Sequence, residues 1–317
     1  MTLIYYSPQV LDHQTGPHPE HPGRLTAIAE LFDTQGLWGS GRVETWSPLT
    51  LDQVAGLHDR HYLESIRQLA ASGGGKADAD TVVSPASLEV ALLAAGAAVD
   101  ATRQILNSRS TQALALIRPP GHHALHDRAM GFCLLNNAAL AAQAALDEFA
   151  LDRVLIVDWD VHHGNGTQAL FYQSPRVGYF SVHRHPFYPG TGAADETGVG
   201  DGLAATCNLP LPFGISRESY LSQTIGRLNS FADRMKPQLV IASAGFDAHA
   251  ADPIGSLGLE TEDFGTLTQA LLDIAATHCE GRIVSLLEGG YNPPVLAECV
   301  ALHLAMLRQY DAGSSQT

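Results

Sequence analysis

The stretch that decides the fold is residues 154–165, which read V-L-I-V-D-W-D-V-H-H-G-N. Its first four residues form an apolar run of strand length, and side chains able to bind a metal follow at once. A continuous apolar run is typical of a strand buried on both faces, as in a parallel sheet. In open sheets of this kind the ligand crevice lies beyond the carboxyl ends of the strands. The stretch therefore predicts a parallel α/β fold with a functional site after residue 157.

Three further apolar runs are followed by residues that bind metals or move protons. They are residues 113–117 before His122 and His123, residues 239–242 before Asp247, and residues 283–287 before Tyr291. Because the carboxyl ends of parallel strands meet at one edge of a sheet, these four clusters are expected to converge on a single site.

Helical segments alternate with the apolar runs. Two more strands are expected at residues 3–6 and 177–181, and helices at residues 85–106, with Ser84 as N-cap, and at residues 216–235, 261–278 and 294–310. This alternation predicts an α/β fold with a central, mostly parallel sheet flanked by helices on both faces. Residues 1–311 are expected to form one domain, and residues 312–317 a disordered tail. The glycine-rich residues 189–202 predict a long functional loop.

The composition limits the possible partners. The 317-residue chain has 18 basic and 33 acidic residues, so its net charge is −15 with neutral histidine. This balance argues against binding to nucleic acid or to an anionic membrane surface. The longest uncharged stretch, residues 129–146, contains polar residues and favours a core segment over a membrane span.

The cysteines predict a reducing environment. The four cysteines are far apart and form no C-x-x-C pair, so neither a disulfide framework nor a cysteine zinc site is expected. The first residues show no signal-peptide pattern. A cytoplasmic location is therefore the expectation.

A metal site is the best interpretation of the central stretch. Asp158, Asp160 and His162 are spaced by two, so in an extended segment their side chains share one face and can approach a common ion. Asp247 would complete such a site. One imidazole and two carboxylates leave a coordination position open for water or substrate, as catalytic sites require. The competing interpretation, that these aspartates only cap helices, leaves the adjacent histidine pairs unexplained.

With these residues in view, the chain resembles the histone deacetylase superfamily, in the branch that joins class II deacetylases with bacterial histone-deacetylase-like and acetylpolyamine amidohydrolases. The resemblance runs nearly end to end and rests on long motifs in order. They are H-P-E-H-P-G-R-L from His18, R-P-P-G-H-H-A from Arg118, G-F-C-L-L-N-N from Gly131, V-D-W-D-V-H-H-G-N-G-T from Val157, P-G-T-G from Pro189, S-A-G-F-D-A from Ser243 and L-E-G-G-Y-N from Leu287.

The resemblance implies an arginase–deacetylase fold and a zinc ion held by Asp160, His162 and Asp247. It implies further roles for the neighbouring residues. His122 and His123 would handle protons, with His123 the general base and then acid; Asp158 would orient His122, Asn165 would orient His123, and Tyr291 would act as the electrophile.

The resemblance also implies structural potassium and a substrate tunnel. Potassium would involve Asp158, Asp160, His162, Ser181 and Val182, and a second site would use main-chain oxygens near Phe171, Ser174 and Val177. The acyl-lysine tunnel would be lined by Gly131, Phe132 and Tyr188, with Ile254 at its rim. Tyr188 stands where the family usually has phenylalanine, a departure that affects the shape or polarity of one wall.

The implied reaction is the zinc-dependent hydrolysis of acetyl or other short acyl groups from N-acyl-lysine side chains by metal-activated water. The substrate would be an acyl-lysine peptide or protein, or a small acylated amine. The sequence is compatible with a homo-oligomer but does not predict one. The apolar Ile254 favours a lysine stem over a polyamine, whose ammonium groups would need a carboxylate at the mouth. Acetylpolyamine deacetylation stays the alternative, since Asp78 and Asp80 could supply that carboxylate.

Two alternatives of other classes are less consistent with the sequence. A catalytically inactive acyl-lysine reader would not need Tyr291 and a full set of metal ligands. A manganese ureohydrolase on the same fold would need two more aspartates, at places where this chain has Asn165 and His249.

Overall fold

A computed structural model describes residues 2–39 and 44–314. Its centre is a seven-stranded sheet in the order β1-β4-β9-β8-β5-β6-β7, in which every neighbouring pair is parallel. The strands, including a separate two-stranded ribbon of β2 and β3, are β1 (Leu3–Tyr5), β2 (Gly75–Lys76), β3 (Val82–Val83), β4 (Gln112–Ala115), β5 (Val154–Asp158), β6 (Val177–Arg184), β7 (Thr206–Leu211), β8 (Leu239–Ala244) and β9 (Ile283–Leu287). The predicted parallel sheet is confirmed.

Helices surround the sheet. The α-helices are α1 (Gly23–Gln35), α2 (Leu51–Val54), α3 (Arg60–Ala71), α4 (Ser87–Leu106), α5 (Asn137–Glu148), α6 (Asn165–Phe171), α7 (Arg217–Met235), α8 (Thr261–His278) and α9 (Pro293–Ser314), and 3-10 helices span Pro8–Asp12 and Gly200–Gly202. Among the described residues, none of these helices has both the length and the apolar composition needed to cross a membrane.

The core has two layers, one on each face of the sheet. Successive residues of β5 alternate between them, so that Leu155 and Val157 belong to one cluster and Val154 and Ile156 to the other. The first cluster contains residues of α1, α7, α8 and α9, and the second contains residues of α3, α4 and α5. The strands are therefore buried on both faces, which explains their continuous apolar sequences.

Several details differ from the sequence-based expectation, which also did not name the β2–β3 ribbon or helices α1, α2, α3, α5 and α6. Helix α4 begins at Ser87 rather than at Pro85, with Ala86 as its N-cap, and the Ser84 hydroxyl forms hydrogen bonds with the Gln14 N–H and the Ser87 hydroxyl. Strand β7 was not expected. The tail was expected from Ala312, whereas α9 continues to Ser314, and residues 315–317 lie outside the described residues.

The sheet order explains where chemistry can occur. The four strands expected to end in chemical residues, β4, β9, β8 and β5, are consecutive in the sheet and run in the same direction. Their carboxyl ends therefore form one continuous edge, and the segments that follow them meet there.

Candidate active site and metal centre

A group of buried potential metal ligands lies at this edge. Asp160 and His162 follow β5, Asp247 follows the neighbouring β8, and their ligand atoms all lie within 4.8 Å of one another. Nδ1 of His162 is 2.9 Å from Oδ1 of Asp160 and 3.1 Å from Oδ2 of Asp247. The structure thus brings together the three residues for which the sequence predicts zinc binding.

The electrostatics of this cluster suit a divalent cation. Burial, followed by the carboxylate of Asp160, raises the pKa of Asp247. Burial also opposes ionisation of Asp160, but His122 and His162 lower its pKa overall. Nδ1 of His162 forms its hydrogen bond with Asp160, so Oδ2 of Asp247 is buried and accepts no hydrogen bond from the described residues. Two carboxylates and one imidazole that share a buried space fit a divalent metal ion, which would supply the missing positive charge.

Main-chain groups hold the two carboxylates. The N–H of Gly289 donates to Oδ2 of Asp160 at 2.8 Å, and the N–H of Val161 donates to Oδ1 of Asp247 at 2.8 Å. A Cβ at Gly289 would lie 2.3 Å from Oδ2 of Asp247 and 2.4 Å from Oδ2 of Asp160. Only glycine therefore fits at position 289.

His122 forms a charged pair at the base of the site. Its Nδ1–H donates to Oδ2 of Asp158 at 3.0 Å, and the hydroxyl of Tyr179 donates to the same oxygen at 3.0 Å. Burial opposes protonation, but Asp158 and then Asp160 raise the pKa of His122 well above its ordinary value. These two carboxylates therefore favour the protonated form of His122.

His123 has the opposite protonation state. Its Nδ1–H donates to Oδ1 of Asn165 at 2.7 Å, because an amide oxygen can only accept, and this leaves Nε2 as the basic atom. Burial, and next the charge of His122, lower the pKa of His123 well below its ordinary value. Asn165 is neutral and does not reverse this shift. A neutral histidine beside the cluster of potential metal ligands has the protonation state that a general base requires.

Tyr291 lies across the site. Its ring is 5.7 Å from that of Phe132, and the guanidinium of Arg24 lies 5.0 Å from its ring centre. The main-chain N–H of Tyr291 donates to Oδ2 of Asp252 at 2.7 Å, which fixes the turn. Burial and the carboxylates of Asp160 and Asp247 raise the pKa of Tyr291, so its hydroxyl remains a hydrogen-bond donor.

Sequence reasoning missed the role of Glu288. This buried carboxylate accepts the N–H groups of Gly121 at 2.7 Å and His122 at 3.2 Å, and it accepts the hydroxyl of Ser243 at 3.1 Å. Burial, with Asp158 and Asp160 opposing the effect of His122, raises its pKa to about 7. Glu288 ties the histidine loop to the end of β9. The only feature of the sequence that pointed to this role is that the E-G-G-Y motif begins with a carboxylate.

A second buried cluster joins α1 to the site and was also missed. Both oxygens of Glu20 accept from Arg118, at 2.8 Å each, and Glu20 accepts from Arg24 at 3.2 Å. Arg24 in turn donates to the carbonyls of Glu288 and Gly290. The motif that begins at His18 carries two of these charges, but their spacing alone does not show their partners.

The expected tunnel residues lie around the histidines. A Cβ at Gly131 would meet the His123 ring at 2.3 Å, and the Tyr188 ring packs edge-on against His123 at 5.2 Å. The ring of Phe187, which sequence reasoning did not single out, stacks on His162 at 5.2 Å. Ile254 is partly exposed beside Asp252, to which its N–H donates.

Some of the residues expected at the potassium sites lie close together. Asp158 and Ser181 are directly opposite in the pairing of β5 with β6, and Val182 follows Ser181. The Ser181 hydroxyl is hydrogen-bonded to Nδ1 of His183 at 2.9 Å. Near the expected second site, the N–H of Ser174 donates to the carbonyl of Phe171.

Comparisons with known proteins agree with this geometry. The family model described as "Histone deacetylase domain" matches residues 18–307. The chain is 38% identical to a "Probable deacetylase" of Archaeoglobus fulgidus over 92% of this chain and 82% of that protein. It is 36% identical to a "Histone deacetylase-like amidohydrolase" of Pseudomonas aeruginosa over 89% of this chain and 74% of that one. The structure superposes on the crystal structure titled "HDA15 HD domain" with a TM-score of 0.90 and 36% identity, covering 96% of this chain and 88% of that one.

Proposed function

The chain belongs to the histone deacetylase family and has its arginase–deacetylase fold, and from that premise we propose that it is a zinc-dependent amidohydrolase that removes acetyl groups from lysine side chains. The observation that carries the proposal is the arrangement of one buried Asp-His-Asp cluster next to a neutral histidine and a protonated tyrosine. These groups are the ones needed for hydrolysis of an amide without a protein nucleophile.

His123 would move the protons of the reaction. Zinc held by Asp160, His162 and Asp247 would polarise the amide carbonyl and acidify a water molecule. Nε2 of His123 accepts the proton from the attacking water and later returns it to the departing amine. Asn165 keeps Nδ1 protonated, so that the basic nitrogen stays Nε2.

Tyr291 would stabilise the transition state. Its hydroxyl donates a hydrogen bond to the carbonyl oxygen as negative charge develops there. A positive charge on His122 would add to this stabilisation, and after burial it is the main cause that lowers the pKa of His123.

We also assign structural potassium to the region of Asp158, Ser181 and Val182, because Asp158 and Ser181 are neighbours across β5 and β6.

A second candidate function, deacetylation of acetylated polyamines, is favoured by one observation. The hydroxyl of Tyr188 lies close to the carboxylate of Asp80, which after burial is the main cause that raises the pKa of this hydroxyl. This hydroxyl and carboxylate together would bind an ammonium group, which a polyamine carries along its chain and the methylene stem of a lysine lacks. Ile254, expected at the tunnel rim, is apolar and cannot pair with an ammonium group, so acyl-lysine remains the first candidate.

The test compares kcat/KM for an acetyl-lysine peptide and for acetylspermidine at the same salt concentration, in the natural enzyme and in Tyr188→Phe. We expect the peptide to be the better substrate and Tyr188→Phe to leave it so. An advantage of about tenfold or more for acetylspermidine, lost in Tyr188→Phe, would assign the enzyme to polyamines. Absence of turnover on both substrates would contradict the proposed activity itself.

A further inference from the structure

Flat side chains form a row that runs from the cluster of potential metal ligands to the protein surface. The imidazole of His162 stacks on the ring of Phe187, with ring centres 5.2 Å apart and planes 17° apart. The guanidinium of Arg184 lies over the same phenyl ring, 4.1 Å from its centre, and also over the ring of Phe213, at 4.3 Å. Phe213 is 66% exposed, so this row, the His162 stack, ends in solvent.

Arg184 also joins the two segments that carry the potential metal ligands. Its main-chain N–H donates at 2.9 Å to the carbonyl of Val161, which precedes His162 in the chain. Its Nη1 donates at 2.9 Å to the carbonyl of Gly255, in the loop that follows Asp247. A Cβ at Gly255 would lie 2.4 Å from the carbonyl oxygen of Asp247, so Gly255 packs directly on that residue. Arg184 is therefore connected to both sides of the cluster.

The hydrogen bonding of Arg184 indicates that this place uses the shape of an arginine. Its Nε is buried and has no hydrogen-bond partner among the described residues. No carboxylate in residues 2–39 and 44–314 forms an ion pair with it. A buried donor without an acceptor costs free energy, which an apolar side chain would avoid. An arginine, unlike an apolar side chain, can lie over two phenyl rings and also donate to a carbonyl.

We propose that Arg184 is a positioning residue for metal binding, which acts on His162 through Phe187 and on the loop after Asp247 through its bond to Gly255. The inference rests on the proposed function, because it takes His162 and Asp247 as zinc ligands. Phe187 restricts rotation of the His162 imidazole, and Arg184 holds Phe187 in place. Groups that fix the orientation of a metal ligand in advance raise the affinity for the metal.

The first test measures the zinc dissociation constant of Arg184→Ala by competition with a chelator, and the visible absorption spectrum of the same variant loaded with Co²⁺, which reports the geometry of the ligands. Zinc binding should weaken about tenfold or more, and the Co²⁺ spectrum should change. The matched control is Arg153→Ala. Arg153 is also half-buried and donates to a main-chain carbonyl, that of Lys236, but it precedes β5, at the opposite end of that strand from the cluster. This control should bind zinc like the natural enzyme.

A second pair of variants tests the outer end of the His162 stack. Phe213→Ser removes a ring that is mostly exposed, so the core stays intact. Zinc binding should weaken about threefold, the effect of one exposed contact between a cation and a ring. Phe213→Tyr keeps the ring and should bind zinc like the natural enzyme. The control is Leu203→Ser, which removes an apolar side chain that is also 66% exposed but lies outside the stack, and it should leave zinc binding unchanged.

Natural zinc affinity and an unchanged Co²⁺ spectrum in folded Arg184→Ala would overturn the inference, as would natural zinc affinity in Phe213→Ser if Arg184→Ala does not fold. A loss in Arg153→Ala equal to that in Arg184→Ala would also overturn it, since the effect would then be a general loss of stability. Zinc binding is measured without substrate, so these failures leave the proposed deacetylation untouched. Absence of zinc binding by the natural enzyme would instead contradict the proposed function, and this inference with it.

Discussion

At the scale of single residues, His122 and His123 show how neighbours in sequence acquire opposite properties. Asp158 faces the first and raises its pKa, whereas a neutral asparagine faces the second, whose pKa burial and the first histidine lower. In the proposed mechanism these environments suit one histidine to charge stabilisation and the other to proton transfer. The two histidines and their partners, Asp158 and Asn165, could be predicted from the sequence because they lie in long motifs of the family that the chain resembles.

Replacement of Tyr291 by phenylalanine tests the electrophile. Only the hydroxyl is lost, so the variant should keep its metal and fold while kcat falls about 100- to 1,000-fold. Tyr6→Phe is the control. It removes a half-buried hydroxyl from a tyrosine that packs against Trp38, and it should retain full activity. Near-normal kcat in a folded Tyr291→Phe enzyme would make the residue a packing group only.

Replacement of Glu288 tests the support of the histidine loop. Glu288→Ala leaves the N–H groups of Gly121 and His122 buried without an acceptor, so kcat should fall about tenfold or more with metal content unchanged. Glu288→Gln should retain most activity, because its oxygen still accepts both N–H groups and its nitrogen can donate to Ser243. An equal loss in both variants would show that the charge, rather than the hydrogen bonds, is what matters.

Gly289→Ala tests the packing of the metal ligands. The added Cβ would lie within 2.4 Å of carboxylate oxygens of both Asp160 and Asp247, so the variant should lose zinc as measured by metal analysis. Gly226→Ala is the matched control, since no atom lies within 4 Å of a Cβ there. Full zinc content in folded Gly289→Ala would mean that the two carboxylates do not share one ion.

At the scale of elements, the buried Glu20 cluster fixes α1 against the ends of β4 and β9. Burial alone would raise the pKa of Glu20, but Arg118, followed by His13 and Arg24, lowers it to about 2. The ordinary pKa is 4.5, so the ionised group stabilises the fold above pH 4.5, and this stabilisation is lost as the pH falls toward 2.

Glu20→Gln should therefore lower the free energy of unfolding by about 3–5 kcal/mol at pH 7, because two buried guanidinium groups lose their carboxylate. The difference from the natural enzyme should shrink as the pH falls below 4.5. Denaturant unfolding at several pH values measures this. Glu64→Gln, on an exposed pair with Arg67, is the control and should change stability little, since solvent screens that pair. A pH-independent difference for Glu20→Gln would contradict the linkage.

Strand β7 shows why some elements escape sequence reasoning. Its six residues, T-C-N-L-P-L, contain Asn208 and Pro210 and give no continuous apolar run. Proline is tolerated there because β7 is at the edge of the sheet, where one side of the strand has no hydrogen-bonding neighbour. Only the paired strand β6 identifies it as part of the sheet.

At the scale of the whole molecule, the convergence of the site follows from the sheet. Parallel strands deliver their following residues to one edge, so the convergence of the clusters could be predicted from local sequence. Spacing alone also placed Asp158 with the metal ligands, whereas the structure pairs it with His122, and the set of Asp160, His162 and Asp247 followed from the family resemblance. The buried contacts of Glu20 and Glu288 that support the site could not be predicted in this way. Glu20 meets Arg118 across 98 positions, and Glu288 meets Gly121 across 167, and no spacing rule connects residues so distant in the chain.

The most direct test of the central claim is a zinc titration of metal-free enzyme, followed by the rate of acetate release from an acetyl-lysine peptide. Because Asp160, His162 and Asp247 form one cluster of ligands, activity should rise linearly with added zinc and level off at one equivalent per chain. No acetate release at any zinc concentration, or a plateau reached only at two equivalents, would contradict the assignment of this enzyme as a single-zinc deacetylase.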